Sequence, residues 1–369
     1  MRRKNIAIVA HGGVGGGNFS QGMPALVDLI ERLSLNNNVT VFIAGLPDPM
    51  FLAAGYNIIG LKIPHSANFY RRLLLLMISL LKNRQRFDVI HSIWGYPWCL
   101  PALLKGMLTS TPVVISLRGG EAANLPGINY GAMRKLTGRM ISLWAYRRAK
   151  VLTCLTAFQA GKLKEFGLIR KIEIVPNGAD PEKFPFVKKE FTPAWKFLYV
   201  GHLTRVKDQG TLLKTFKIIS DSKNCSLKII GQGEEEENLR RLCRQLGLDS
   251  RVEFTGFVLH TLLPEHFREA HFLLHTSLWE GQGVVVAEAA ASGTLVCGTR
   301  TGLISDLGES CTVNEETGQP EKLAAKVLEI MENGAEIRKK LENAYLWSQS
   351  HTAQKTADSF EEIYNAISA

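Results

Sequence analysis

This 369-residue sequence predicts an α/β protein of two domains, each built on a parallel sheet covered by helices. Short strand-like apolar runs alternate with helical segments, as buried parallel sheets require. The alternation lapses over Phe184 to Trp195, a stretch with two prolines, a lysine pair and little periodicity, and then restarts. Both halves open with a strand-like run that ends at a glycine.

In the first half, Asn5 to Ala10 is a strand that stops at the glycine cluster Gly12 to Gly17. Pro24 to Leu35 carries apolar residues at helical spacing, and Asn38 to Ala44 reads as a second strand. Phe87 to Ile90, Pro112 to Leu117, Val151 to Cys154 and Ile172 to Val175 are further strands, separated by segments such as Arg71 to Lys82 and Met133 to Arg148. In the second half, the strands are Phe197 to Val200, Ser226 to Ile230, Val252 to Thr255, His271 to His275 and Thr294 to Cys297. Thr211 to Ile219 is a helix, and another opens with Glu234 to Glu237, whose charges suit a helix N-terminus without any ligand. Glu321 to Ile367 is mostly helical, with a break at Trp347 to Thr352.

Composition narrows the function classes. The chain is 46% apolar with a net charge of +10, unevenly spread. Residues 1–190 hold 25 Lys and Arg against 10 Asp and Glu, a net of +15, while residues 191–369 hold 19 against 24, a net of −5. No apolar stretch reaches the roughly 20 residues that span a bilayer, and the longest, Leu73 to Leu81, is flanked by arginines and lysine. Arg2-Arg3-Lys4 leads into too short an apolar run for a signal peptide. The six cysteines are widely spaced with no CxxC pair, which fits buried thiols in a reducing compartment. The expected address is the cytoplasm. Basic charge without a recognised motif argues against nucleic acid as a partner. The histidines lack ligand spacing and no Asp-x-Asp pair stands ready for a nucleotide-bound magnesium, so no metal is expected.

Glu280 and Glu288 are the most informative pair. Seven residues separate them, across Gly281-Gln282-Gly283 and Val284. A helix starting near Gly283 places Glu288 about two turns away, at roughly 3.6 residues per turn. Backbone N–H groups and a helix N-terminus then lie between two carboxylates, groups suited respectively to phosphate and to sugar hydroxyls. Arg205 and Lys207 follow a strand end, where open α/β folds bind ligands, and would meet a pyrophosphate. Gly16 and Gly17 read equally as a plain turn or as the lining of a crevice. The second strand ends without the acidic residue of a dinucleotide site, and the P-loop lysine is absent.

Taken in order, these residues resemble the retaining family-four (group 1) glycosyltransferases of the GT-B fold. Glu280 to Val296 resembles the E-G-F-G…E-A-x-A-x-G-x-P-V block, and Ile174 to Asp180 the I-P-N-G-V-D turn. Gly16-Gly17, Val200 to Lys207, Ile230 to Gly233, Phe254 to Phe257 and Phe360 to Tyr364 are similar to further motifs. The resemblance implies two Rossmann-like domains facing across a cleft: residues 1–187 for the acceptor and 194–350 for the donor, with helix 351–369 packing back onto the first. It implies Lys207 and Arg205 at the diphosphate, Glu280 at the sugar hydroxyls, Glu288 at the ribose and Phe257-Val258 beside the base. Gly281 and Gly283 would present N–H groups, with Gln282 and Val284 in the same loop.

The implied reaction is metal-independent, retaining hexosyl transfer from a UDP- or GDP-sugar to a glycan, lipid-linked or small-molecule acceptor in cell-surface polysaccharide or glycolipid synthesis, with no separate cofactor. A nucleotide-sugar epimerase and a degenerate nucleotide-sugar-binding paralogue are the alternatives. Departures from the pattern are His202 for an arginine, Gln282 for a phenylalanine, and Arg118-Gly119-Gly120-Glu121 for H-G-x-E/D. Arg118 would then meet an anionic donor or acceptor group, and any histidine role would pass to His91 or be absent. Arg71 to Arg86 reads as a sheet-covering helix in preference to one resting peripherally on anionic lipid.

Overall fold

A computed structural model describes residues 2–15, 23–49, 51–64, 67–191 and 194–368. The chain forms two compact units, Met1–Pro176 with Ala353–Ala369, and Asn177–Thr352. Both are parallel α/β sheets, as the alternation predicts.

The first unit holds β1 (Asn5–Ala10), β2 (Asn38–Ile43), β3 (Asn57–Gly60), β4 (Val89–Ile93), β5 (Val113–Leu117), β6 (Val151–Cys154) and β7 (Glu173–Ile174), ordered β3-β2-β1-β4-β5-β6-β7. Ile6 pairs with Val39 on one side and Val89 on the other, so β1 is central and its last five residues are fully buried. Leu26, Leu29, Ile30 and Leu33 form the buried stripe of helix Pro24–Asn36. They share a core with Phe360 and Tyr364 of the final helix, Ala353–Ile367, which thus completes the first unit. Arg32 to Gln354 (3.0 Å) and Asn36 to Glu361 (3.1 Å) add hydrogen bonds at the edge of that contact.

The second unit holds β8 (Trp195–Val200), β9 (Cys225–Ile230), β10 (Val252–Gly256), β11 (Phe272–His275), β12 (Leu295–Thr299) and β13 (Thr312–Glu315), ordered β10-β9-β8-β11-β12-β13. The strand order reverses between β8 and β11, so the loops leaving these strands flank the crevice typical of ligand sites in such sheets.

The expected domain limits need correction. The division falls at 176/177, not at 187, and the returning helix begins at Ala353, not at 351. Local bonding explains both. Asn177 N donates to Gln282 Oε1 (2.8 Å), Ala179 pairs with Thr352 as a parallel bridge, and Phe184 is buried in the second unit's core. The expected linker is likewise tied down, because Lys189 Nζ donates to Phe267 O (2.8 Å) and Thr294 Oγ1 (2.6 Å).

Candidate functional site

The loops leaving β8 and β11 are fastened to one another. After Val200 the chain makes a short turn, Arg205–Lys207, and reaches Asp208 in the left-handed region (φ 45°). The Asp208 carboxylate accepts from Thr211 N (3.3 Å) and Thr211 Oγ1 (2.7 Å), capping helix Gln209–Ser222. From the other loop, Thr276 Oγ1 donates to Asp208 O and Leu278 N to Val206 O, each at 2.8 Å. These bonds carry Lys207 to Glu280, where Nζ lies 2.5 Å from Oε1.

Glu280 Oε1 is crowded with donors. Lys207 Nζ, His275 Nε2 (2.8 Å) and Ser277 Oγ (2.7 Å) all converge on it, and none of these bonds uses Oε2. Burial by itself would raise this carboxyl's pKa. The Lys207 ammonium and the bonds from His275 and Lys207 outweigh burial and hold the group well below the usual carboxylate range. Facing a carboxylate, His275 Nε2 is the nitrogen that donates, and the buried Nδ1 has no hydrogen-bond partner. Ser277 Oγ also lies 3.2 Å from Nε2, so serine and carboxylate share one ring nitrogen. A Ser-His-acid triad needs them on opposite nitrogens, so this cluster positions Glu280 and does not activate Ser277.

Helix Val284–Ala291 starts directly beyond Gly283 (φ 78°), and no side chain caps it. Glu288 is buried on that helix, its Oε1 2.7 Å from His260 Nε2. Gly302 (φ 53°) stands behind the loop. A Cβ there would fall 2.5 Å from Gln282 O and 2.6 Å from Glu280 Cβ, so glycine is what allows the two loops to close up.

Other expected residues stand elsewhere. Arg205 is exposed and its Nε pairs with Glu235 Oε1 at 3.2 Å, which gives Glu235 a partner beyond the helix it precedes. His202 is exposed, while its carbonyl accepts from Tyr199 Oη (3.1 Å) and Gln209 Nε2 (2.8 Å), fixing the loop. Gln282 is committed to structure: its Oε1 accepts from Asn177 N (2.8 Å) and its Nε2 donates to Asn177 O (2.7 Å), clamping the Pro176-Asn177-Gly178 turn. Gln282→Ala is accordingly expected to cost about 1–3 kcal/mol, the range for stranding a buried polar group, read as a lower unfolding midpoint. Phe257 is half exposed just past β10, and Val258 packs on the alanine-rich core. Gly16 and Gly17 lie outside the described residues.

In the first unit, Arg118 is buried at the end of β5, and burial lowers its guanidinium pKa to about 10, so it stays cationic at neutral pH. Glu121 fastens the same loop by accepting from Arg118 N (3.1 Å), Gly119 N (2.5 Å) and Gly95 N (3.2 Å). His91 cannot take over proton transfer. Its Nδ1 meets Tyr364 Oη and its Nε2 meets Ser116 Oγ, both at 2.6 Å, and burial followed by the Arg118 charge pushes its pKa down to about 3. His271 also falls outside the site, since it precedes β11 and accepts from Lys196 N (3.0 Å).

Sequence reasoning missed His275, Ser277 and His260. The position of His275 at the end of β11, just before the glycine loop, was the available signal. Among the described residues no group of three or more His, Cys, Asp or Glu is placed to hold a metal ion.

A doubly sheeted α/β chain with a cation–carboxylate pair at a switch point and an uncapped helix beside it has the build of a GT-B protein. Two family models match it in succession, Glycosyltransferase Family 4 over residues 25–183 and Glycosyl transferases group 1 over residues 180–346. The chain is a GT-B-fold glycosyltransferase related to these families.

An uncharacterised glycosyltransferase of Methanocaldococcus jannaschii is 25% identical over 323 residues, covering 85% of this chain and 86% of that protein. A second from the same organism is 26% identical over 240 residues, 60% of each chain. The glycogen synthase of Mycobacterium tuberculosis is 26% identical over 239 residues, 63% of this chain and 56% of the synthase. The matches therefore span less than two thirds of the last two relatives. Among solved structures, the Thermosynechococcus elongatus sucrose-phosphate synthase superposes with a TM-score of 0.81 at 17% identity, covering 99% of both chains. Anabaena HepE in complex with UDP and glucose gives 0.77 at 15% identity, covering 99% of this chain and 100% of its own. At such identities the likeness concerns the fold.

Proposed function

We propose that the chain transfers a hexose from a nucleoside-diphosphate sugar to a glycan, lipid-linked or small-molecule acceptor, with retention of anomeric configuration and in polysaccharide or glycolipid synthesis. The observation that carries this reading is the Lys207–Glu280 pair at the β8/β11 switch point, beside an uncapped helix that bears Glu288. Lys207 and the first N–H groups of that helix, around Gly281, Gly283 and Val284, bind the diphosphate and stabilise charge on the departing nucleotide. Glu280 Oε2 accepts from sugar hydroxyls, and Glu288 from the ribose. Phe257 and Val258 border the base.

Retention is supported by the electrostatics of Glu280. A carboxylate held low by Lys207 is a weak base, so it orients the sugar and leaves proton removal from the acceptor to the donor's own phosphate oxygen. The HepE structure with UDP and glucose makes a uridine nucleotide the first donor to try.

The test is calorimetric titration with UDP, GDP, ADP and CMP without added metal, followed by sugar conjugates of the nucleotide that binds. One nucleotide is expected to be selected, and Glu288→Ala to weaken it about 10-fold or more, as two lost hydrogen bonds to a charged acceptor imply. Equal affinity in the variant rules out a ribose contact, and no binding of any nucleotide by folded protein rules out the donor site. Product analysis with and without acceptor separates transfer from epimerisation.

A further inference from the structure

Helix Leu136–Arg148 of the first unit is apolar on its outer side. Leu136 (67% exposed), Met140 (63%) and Trp144 (43%) recur every four residues and form one stripe, with Ile141 beside them. Ser142, Leu143, Ala145 and Tyr146 already bury the opposite face, so the stripe is surplus to the core. The helix packs beside Leu100–Thr109, which ends in the exposed Met107 and Leu108. Arg148 and Lys150 line a shallow groove of about 560 Å³ together with Met107, and the Arg148 guanidinium sits 5.7 Å from the Trp144 ring centre. Charge is one-sided here: residues 122–164 contain eight Lys and Arg and no Asp or Glu.

We infer that this face docks on an anionic bilayer surface. Exposed Trp, Met, Leu and Ile ringed by cations are what an interfacial helix presents to headgroups and the upper acyl region, where tryptophan is favoured. Lys135, Arg147, Arg148 and Lys150 meet lipid phosphates while the stripe enters the boundary. A second copy of the chain is the poorer occupant, because a two-fold contact of this face would oppose its excess of like charges. The surface differs from the Arg71 to Arg86 segment considered from sequence, since it lies on helix Leu136–Arg148 and not on helix Phe69–Lys82. Among the described residues no helix is long and apolar enough to cross a membrane, so docking here is peripheral. The inference is independent of the donor site.

The experiment is co-sedimentation of the full chain with phosphatidylcholine vesicles, with and without phosphatidylglycerol, for wild type and the Met140→Ser/Trp144→Ser variant. Both positions are exposed, so the variant is expected to keep the wild-type melting curve and nucleotide affinity. Wild type is expected to bind only the phosphatidylglycerol vesicles, to release in high salt, and to lose about 10-fold or more of its affinity in the variant. Equal vesicle binding by the variant, absence of binding to anionic vesicles, or a concentration-dependent dimer that the variant abolishes would each overturn the inference.

Discussion

Lys207→Ala is expected to lower kcat by about 10²–10³-fold, the usual cost of removing one preorganised group that stabilises developing charge, with a smaller rise in KM. The substitution also removes the cation that holds Glu280 low. Burial opposes ionisation of that carboxyl, and in wild type Lys207 and His275 outweigh it. A depressed carboxyl adds stability that is complete above its unfolded pKa of about 4.3 and is lost as pH falls through the folded value. Without Lys207 burial is opposed less and the folded pKa rises, so the variant binds more protons than wild type as this carboxyl titrates. The stability gap between wild type and variant should therefore widen as pH rises from about 4 to about 7. Denaturant unfolding at the two pH values measures it, and an equal gap at both would show that Lys207 does not keep Glu280 ionised.

The strands were legible where apolar runs are short and cleanly bounded. β1 and β6 fall on their predicted residues, and β8, β9 and β12 differ only at the ends. Two edge strands were not: β3 holds only the Ile58-Ile59 pair between Asn57 and Gly60, and β13 (Thr312–Glu315) has Val313 as its one apolar residue, so neither forms an apolar run long enough to read as a strand. Helix Leu100–Thr109 escaped because Leu100, Ala102, Leu103, Leu104, Met107 and Leu108 leave no periodic gap. In the candidate site, Glu280 and Glu288 stood out in the sequence by their spacing around glycines, and Lys207 by its place beyond a strand end. Partnerships between distant residues could not: His275 and Ser277 at Glu280, His260 at Glu288, and the hold of Gln282 on Asn177 all depend on which loops the sheet order brings together. The same limit explains the misplaced domain boundary. Two prolines mark Phe184 to Trp195 as irregular, but only packing reveals that Phe184 belongs to the second core.

Gly298→Ala should be among the most destabilising single changes, although it adds one methyl group. Gly298 lies in β12 opposite His275, and its Cβ would fall 2.0 Å from the His275 carbonyl and 2.8 Å from Ile304 Cδ1. The first obstacle is backbone, which cannot rotate aside, so β11 and β12 must separate where His275 is presented to Glu280. Overpacking of this kind costs about 1–3 kcal/mol or more, and each kcal/mol is roughly 2–4 °C for a unit of this size. A melting transition lowered by about 5–10 °C is expected, together with reduced turnover, because the His275–Glu280 bond depends on that strand spacing. Gly161→Ala gives the contrast. Gly161 lies within helix Ala157–Glu165 of the first unit, with no atom within 4 Å of a Cβ placed on it. Alanine there should stabilise by about 0.5–1 kcal/mol, the helix-propensity difference, and leave turnover unchanged. Calorimetry and activity on the two variants decide the matter: shifts of the same sign in both would refute the claim that close approach of β12 to His275, and not a general need for flexibility, keeps glycine at position 298.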